Sequence, residues 1–291
     1  MTGGHEMRTI GFIGLGMMGT PMAHLLHEAG HRLVVQDVNP ATEAAFAAAH
    51  ADVVRAPDAA AFAACDVVFT MLPNSDIVDA VVDGLASHLP AGACVIDMSS
   101  ADPHRTRALA ARLAARGLGL LDAPVSGGVK KAVAGTLAIM AGGDPALFER
   151  QRPLLAVLGQ AITYVGPVGA GHALKALNNY VSAAAMIATA EAIHAGAAFG
   201  IDAATVVDVI NASTGRNNTT ENKAHQFMLN GAFNSGFSLA LQAKDVGIAA
   251  ALGPVLGQPM RLAQQVSAYT RDASAELGPA ADHTELYRYV V

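Results

Sequence analysis

A run of β-branched and apolar residues, RTIGFIG at 8 to 14, ends in glycines, and a stretch with helical spacing follows from 17 to 29, closed by Gly30. The junction reads Gly14-Leu15-Gly16-Met17-Met18-Gly19, which is GxGxxG. A glycine hexamer alone says little. Here it follows a strand, opens a helix and begins a strand–helix–strand unit. In that setting glycines permit a tight turn and let backbone N–H groups approach a pyrophosphate, whose charge the helix start favours. The next strand, HRLVVQDVNP, ends at Asp37, about twenty residues on, where an acid can meet the ribose hydroxyls of an adenosine. Asp37 would repel a 2′-phosphate, and Val38, Asn39 and Pro40 bring no arginine, so NAD is expected rather than NADP. The other reading of Asp37 is an aspartate capping the turn before Asn39-Pro40.

The strand–helix rhythm continues. Helical stretches are expected at 41–50, 75–88, 103–116 and 145–157, and strands at CDVVFTMLP, ACVIDMSS, LGLLDAPVS, TLAIMAGG and AITYVG. Such alternation means a mostly parallel sheet covered on both faces. After Gly166 the strand signal stops. A Gly/Pro-rich turn opens one long helix, and 203–213, 219–230, 238–252 and 259–275 also read as helical. The expected fold is α/β: a Rossmann-type doubly wound sheet over residues 1–166, then an all-helical domain over 167–291, joined by a long interdomain helix near Ala170 where ligand sites are common.

Composition excludes several classes. Of 291 residues 52% are hydrophobic and only 14% charged, which suits a well-cored globular protein. A formal charge of −6 and the absence of Trp argue against a nucleic-acid partner. No stretch is apolar and charge-free over the ~18 residues a membrane span needs; the helix after Gly171 comes nearest but carries Lys175, Asn178, Asn179, Glu191 and His194. The first residues lack the apolar core of a secretory signal. Cys65 and Cys94 each sit in an apolar run, so buried thiols and a cytoplasmic setting are expected. Eleven histidines are scattered, with His24 and His27 the close helical pair, read as a surface feature; no metal site is expected.

Two further motifs carry chemistry. Asp122-Ala123-Pro124-Val125-Ser126-Gly127-Gly128 ends a strand at the edge where α/β sheets bind ligands. Backbone N–H groups at Gly127 and Gly128 and the hydroxyl of Ser126 suit an anion such as a carboxylate; the alternative is an ordinary glycine turn. In Gly169-Ala170-Gly171-His172-Ala173-Leu174-Lys175-Ala176-Leu177-Asn178-Asn179, Lys175 and Asn179 share a helix face. Lys175 lies near the helix start and on an apolar helix. Both circumstances favour the neutral amine and suit a general acid/base. The other reading is a lysine that snorkels to water.

Together with GFIGLGMMGTPMA, TMLPNSDIV, IDMSSADP, LQAKDVGIA and ADHTELYRY, these motifs resemble the β-hydroxyacid dehydrogenase family, 3-hydroxyisobutyrate dehydrogenase-like, over nearly the whole chain. The resemblance implies an oxidoreductase that moves hydride between NAD and a small 3-hydroxy acid, as a homodimer or homotetramer. It implies Lys175 as the catalytic acid/base with Asn179 positioning it, and Ser126, Gly127 and Gly128 as substrate holders. Lys244 and Asp245 match the family's later Lys-Asp pair, which closes the site from the helical domain, with Lys244 also near the cofactor. Met71, Leu72 and Pro73 match a loop along the dinucleotide, beside Gly14, Gly16, Met17, Met18, Gly19 and Asp37, and Ser100 stands where a Thr is usual. The substrate stays open: tartronate semialdehyde or a more anionic hydroxy acid are alternatives. Arg216 could meet an anionic group or be solvated. Lys130 and Lys131 depart from the small residues usual after SGG, and could bind a more anionic substrate or face water. Asn217 and Asn218 stand where some 3-hydroxyisobutyrate enzymes have an aromatic residue. A non-catalytic reader would lack Lys175, an imine reductase would carry Asp or Tyr there, and a phosphogluconate dehydrogenase would need a larger helical domain.

Overall fold

The computed structural model describes residues 7–50 and 52–290. Six residues at the start, on which the expectation of no secretory signal partly rests, lie outside that range. The chain divides into two compact units, the first running to Lys175 and the second from Ala176.

In the first unit the strands are β1 (Thr9–Ile13), β2 (Arg32–Gln36), β3 (Val54–Arg55), β4 (Val67–Thr70), β5 (Cys94–Asp97), β6 (Gly119–Asp122), β7 (Val125–Ser126), β8 (Leu137–Gly142) and β9 (Gly159–Gly166). Among the described residues they form one nine-stranded sheet in the order β3-β2-β1-β4-β5-β6-β8-β7, with β9 parallel to β8. β8 is antiparallel to β6 and β7; the other pairings are parallel. The order reverses between β1 and β4, which is where open α/β sheets form a crevice at their carboxyl ends.

Helices α1 (Gly19–Glu28), α2 (Pro40–Ala49), α3 (Ser75–Leu85), α4 (Pro103–Ala114), α5 (Gly128–Val133) and α6 (Pro145–Leu158) accompany the strands. Strand side chains alternate between two faces and both are buried. Ile10, Phe12, Val67, Phe69, Cys94 and Ile96 join Met22 and Leu26 of α1 and Leu154, Leu155 and Leu158 of α6. Ile13, Val68 and Val95 join Val78 and Val82 of α3 and Leu109 and Leu113 of α4 on the other face. This is the doubly wound arrangement. Cys65 and Cys94 are buried free thiols, each pushed up to about 12 by burial.

Differences from the sequence reading have local causes. LGLLDAPVS, expected as one strand, breaks at Ala123-Pro124 into β6 and β7. Pro124 has no N–H to give a ladder, and its carbonyl accepts from Met140. The two-residue β3, the 3-10 turn Ala59–Ala64 and the six-residue α5 are too short to show a period.

α7 (Ala170–Phe199) runs from the first unit into the second. Among the described residues it is the one helix long and apolar enough, by length and composition, to cross a membrane. Its buried Ala183, Met186, Ala190 and Ile193 enter the helical unit's core. That unit adds α8 (Ala203–Asn211), α9 (Asn218–Asn222), α10 (Leu239–Val255), α11 (Arg261–Leu277) and α12 (Leu286–Tyr289). The stretch expected as one helix over 219–230 passes from α9 into a π turn, Ala224–Met228.

Asp282 holds the segment before α10. Its carboxylate accepts from the Ser235 hydroxyl at 2.8 Å, from Gly236 N at 2.8 Å and from Thr284 N at 2.9 Å. Next to it His283 is 5% exposed, its ring edge-on to Phe237. Burial first, then the Lys223 ammonium, hold this imidazole well below its usual 6.5. The unfolded chain therefore takes the proton more readily than the folded one. The stability tied to the neutral ring is full above 6.5 and is lost as pH falls below it. The thermal midpoint should drop more steeply between pH 6.5 and about 5 in the wild type than in His283→Gln, as scanning calorimetry across pH would show. Equal slopes would refute this assignment.

Candidate active site

The glycine loop follows β1. Gly14 has φ +97°, and a Cβ there would lie 2.2 Å from the Met71 carbonyl. A Cβ on Gly19 would lie 1.8 Å from the Gly14 carbonyl, whereas nothing stands within 4 Å of one on Gly16. The loop is thus closed on the sheet side and open at Gly16. α2, α3, α4 and α6 are each preceded by an Asn or Asp whose side chain accepts from their first turns; α1 is preceded by Met18, with no side-chain cap and no acid in its first turn. An open glycine cradle before an uncapped helix fits a dinucleotide pyrophosphate. Met17 is exposed and Met18 packs against the core.

Asp37 is half-buried at the end of β2. Its carboxylate accepts from Leu15 N at 2.6 Å and from Asn39 N at 2.8 Å. The turn-capping geometry is therefore present, and the same group braces the glycine loop. Each oxygen takes one of these bonds, which leaves acceptor capacity for a ribose hydroxyl. Asp37 N donates to Glu43 Oε1 at 2.7 Å, and Glu43 in turn pairs with Arg55 of β3 at 3.3 Å. This Glu43–Arg55 pair was not anticipated, because Arg55 reaches the end of β2 only through strand pairing.

Strand register gathers the remaining loops. Ile13, Thr70, Asp97 and Asp122 are successive partners across β1, β4, β5 and β6. The residues after them emerge along one edge. Met71 N donates to Ile13 O at 2.9 Å, and Leu72 N donates to the Ser99 hydroxyl at 2.8 Å; Pro73 follows, exposed. Ser99, 1% exposed, is the structural hydroxyl of the Ser99-Ser100 pair, and Ser100 is the more exposed of the two.

Beyond β6 the DAPVSGG segment has two parts. Ser126 is half-buried, and Gly127 (φ +135°) and Gly128 (φ +65°) are exposed in left-handed conformations that suit glycine. The other part, Asp122, is fully buried and has a role the sequence reading missed. Its Oδ1 accepts from Gly169 N at 2.7 Å and its Oδ2 from His172 N at 2.9 Å, so it caps the start of α7. Burial pushes its carboxyl above the usual range, opposed by His172 and these backbone donors. A Cβ on Gly171 would lie 2.3 Å from the Met140 carbonyl, so this glycine lets α7 start flush against the sheet. His172, 1% exposed, shares a hydrogen bond with the Thr106 hydroxyl at 2.8 Å and lies 3.7 Å from Asp97. Lys175 follows, half-buried, one turn into the helix.

The helical unit gathers a second group. Asn179 is 8% exposed, and its amide donates to Asp245 Oδ2 at 2.6 Å; Lys244 Nζ is 3.3 Å from Asp245 Oδ1. Asn178 donates to Asn179 at 3.1 Å. Arg216 is mostly exposed and pairs with Glu221 at 3.5 Å, while Asn217 caps α9. His24 and His27 lie at the surface of α1, near His50 and Asp52 respectively; among the described residues no His/Cys/Asp/Glu group of three could hold a metal ion.

With that geometry, the similarities to known proteins are informative. Residues 9–166 match the NAD binding domain of 6-phosphogluconate dehydrogenase, and residues 169–290 the NAD-binding domain of NADP-dependent 3-hydroxyisobutyrate dehydrogenase. The chain is 42% identical to 2-(hydroxymethyl)glutarate dehydrogenase of Eubacterium barkeri, over 84% of this chain and 82% of that one. It is 40% identical to the NAD-dependent L-serine dehydrogenase of Pseudomonas aeruginosa, over 84% of each. The solved Mycobacterium tuberculosis 3-hydroxyisobutyrate dehydrogenase with L-serine superposes with a TM-score of 0.92 at 34% identity, covering 98% of this chain and 99% of that one. Sequence motifs, doubly wound sheet, long helix and helical unit agree in one assignment: the chain belongs to the β-hydroxyacid dehydrogenase family of NAD(P)-linked hydroxyacid dehydrogenases.

Proposed function

We propose that this chain oxidises a small 3-hydroxy acid with NAD, using Lys175 as general acid/base. One observation carries the reading: the strand ends Ile13, Thr70, Asp97 and Asp122 stand in register, the glycine loop and the β4 loop emerge along that edge, and Asp122 starts there the helix bearing Lys175. The relatives' named substrates support a shared core. 2-(Hydroxymethyl)glutarate, L-serine and 3-hydroxyisobutyrate are all HOCH2–CH–COO− units that differ in the group on the central carbon.

NAD, when bound, supplies the hydride acceptor. The N–H groups at Gly16, Met17, Met18 and Gly19 would hold its phosphates, Asp37 its adenosine ribose, and Met71, Leu72, Pro73 and Ser100 its nicotinamide half. The Ser126 hydroxyl and the Gly127 and Gly128 amides hold the substrate carboxylate. Lys175, as the neutral amine, takes the hydroxyl proton while the carbon gives up its hydride; in the reverse direction its ammonium returns that proton to the carbonyl oxygen. Asn179, one helical turn on, orients the lysine, and Asp245 with Lys244 fixes Asn179. NAD is preferred to NADP because a 2′-phosphate would meet the Asp37 carboxylate with Glu43 behind it, and Arg55 is already engaged by Glu43. The working form is a cytoplasmic homodimer or homotetramer, in keeping with the family resemblance.

A spectrophotometric assay against the three acids named above, with NADP in parallel, tests this reading. NADH should form with at least one acid. Lys175→Ala should lower kcat by roughly 10²–10⁴ while NAD binding is kept. NADP rates equal to those with NAD would overturn the role given to Asp37, and full activity in Lys175→Ala would overturn that of the lysine. Gly19→Ala forces a shift at the Gly14 carbonyl, a strain of about 1–3 kcal/mol. NAD affinity by titration calorimetry should fall roughly tenfold or more in that variant, with unchanged circular dichroism.

A further inference from the structure

The relatives' acids differ at the central carbon, and the residues that meet that group decide which acid is turned over. Lys131 adjoins the turn given above to the substrate carboxylate. It lies in α5, immediately after the Ser126-Gly127-Gly128 turn, and it is exposed. Its stem folds back across Gly127. A Cβ on Gly127 would lie 2.5 Å from Lys131 Cδ, 2.8 Å from its Cβ and 3.0 Å from its Cγ. A glycine at 127 thus makes room for the lysine stem, whose ammonium is carried two bonds beyond Cδ. Among the described residues neither Lys131 nor its neighbour Lys130 forms a salt bridge within 4.0 Å. The sequence GVKKAV brings no acid to neutralise them. In a chain of net charge −6, an unneutralised lysine pair beside a turn suited to a carboxylate is a local departure from the average field.

Resting on the function proposed above, we infer that Lys131 is a specificity-determining residue that pairs with a second carboxylate on the substrate, so that the preferred acid is a hydroxy dicarboxylate. The first carboxylate takes the Ser126–Gly128 turn. The second, on an arm from the central carbon, meets the Lys131 ammonium, with Lys130 adding to the positive field. A monocarboxylate acid leaves this cation solvated and gains nothing from it. The competing account is that the stem merely covers Gly127, with its charge left to water.

The experiment compares kcat/KM for 2-(hydroxymethyl)glutarate and for 3-hydroxyisobutyrate in the wild type, Lys131→Met and Lys131→Arg. Methionine keeps an apolar stem over Gly127 and removes the charge; arginine keeps the charge. The wild type should favour the dicarboxylate. Lys131→Met should lower its kcat/KM roughly tenfold, mainly through KM, with 3-hydroxyisobutyrate changed less than about twofold. Lys131→Arg should retain the preference, and added salt should erode it in the wild type and not in Lys131→Met. No wild-type preference, or equal losses for both acids in Lys131→Met, would overturn the inference while leaving the dehydrogenase reading intact. Absence of turnover with every 3-hydroxy acid would overturn both.

Discussion

The buried carboxylate of Asp122 is the joint on which the placing of the helix that carries Lys175 depends. A helix start leaves several backbone N–H groups without partners, and a start buried against a sheet cannot leave them to water. Asp122 ends β6 and accepts two of those groups, from Gly169 and His172, while Gly171 removes the side chain that would hold the helix off the β8 carbonyl. The helix bearing Lys175 is thereby tied to the sheet at its first turn. Burying a carboxylate is costly, and its raised pKa reports that cost; two backbone donors and the neighbouring His172 offset it.

Much of this architecture was legible in sequence because it rests on residues with few substitutes. Gly14 and Gly19 are glycines because a Cβ would strike backbone, and such positions announce themselves by composition and spacing. The alternation of apolar runs with helical periods was likewise readable up to Gly166, since the central strands β1, β4, β5 and β6 are buried on both faces. What could not be read depends on pairs distant in the chain. Asp122 meets Gly169 across 47 positions, and Glu43 meets Arg55 only because β3 lies beside β2. α5 has too few residues to show a period, and without it the lie of Lys131 over Gly127 had no basis.

The candidate residues fall into two local groups with different support. In the first unit, the glycine loop, Asp37, Met71 to Pro73 and Ser100 follow the parallel strands β1, β2, β4 and β5, and Ser126 to Gly128 lie at the end of β7, which is antiparallel to β8. In the helical unit, Asn179, Lys244 and Asp245 are fixed by side-chain contacts: the Asn179 amide on one Asp245 oxygen and the Lys244 ammonium near the other. Asp245, 3% exposed, is a buried acid whose charge is shared with a lysine and an amide. The first kind of order tolerates side-chain change at the loop tips; the second does not.

Asp37 also bears on how a protein like this could be re-engineered. The same carboxylate accepts from Leu15 of the glycine loop and from Asn39 of the following turn. Replacing it with a small neutral residue, the obvious route to accepting a phosphorylated ribose, would also strip an acceptor from the glycine loop proposed to hold the pyrophosphate. Selectivity and cradle rigidity are pleiotropic here. A successful exchange of coenzyme must supply a new acceptor for Leu15 together with the new cation, so the two traits have to evolve in concert.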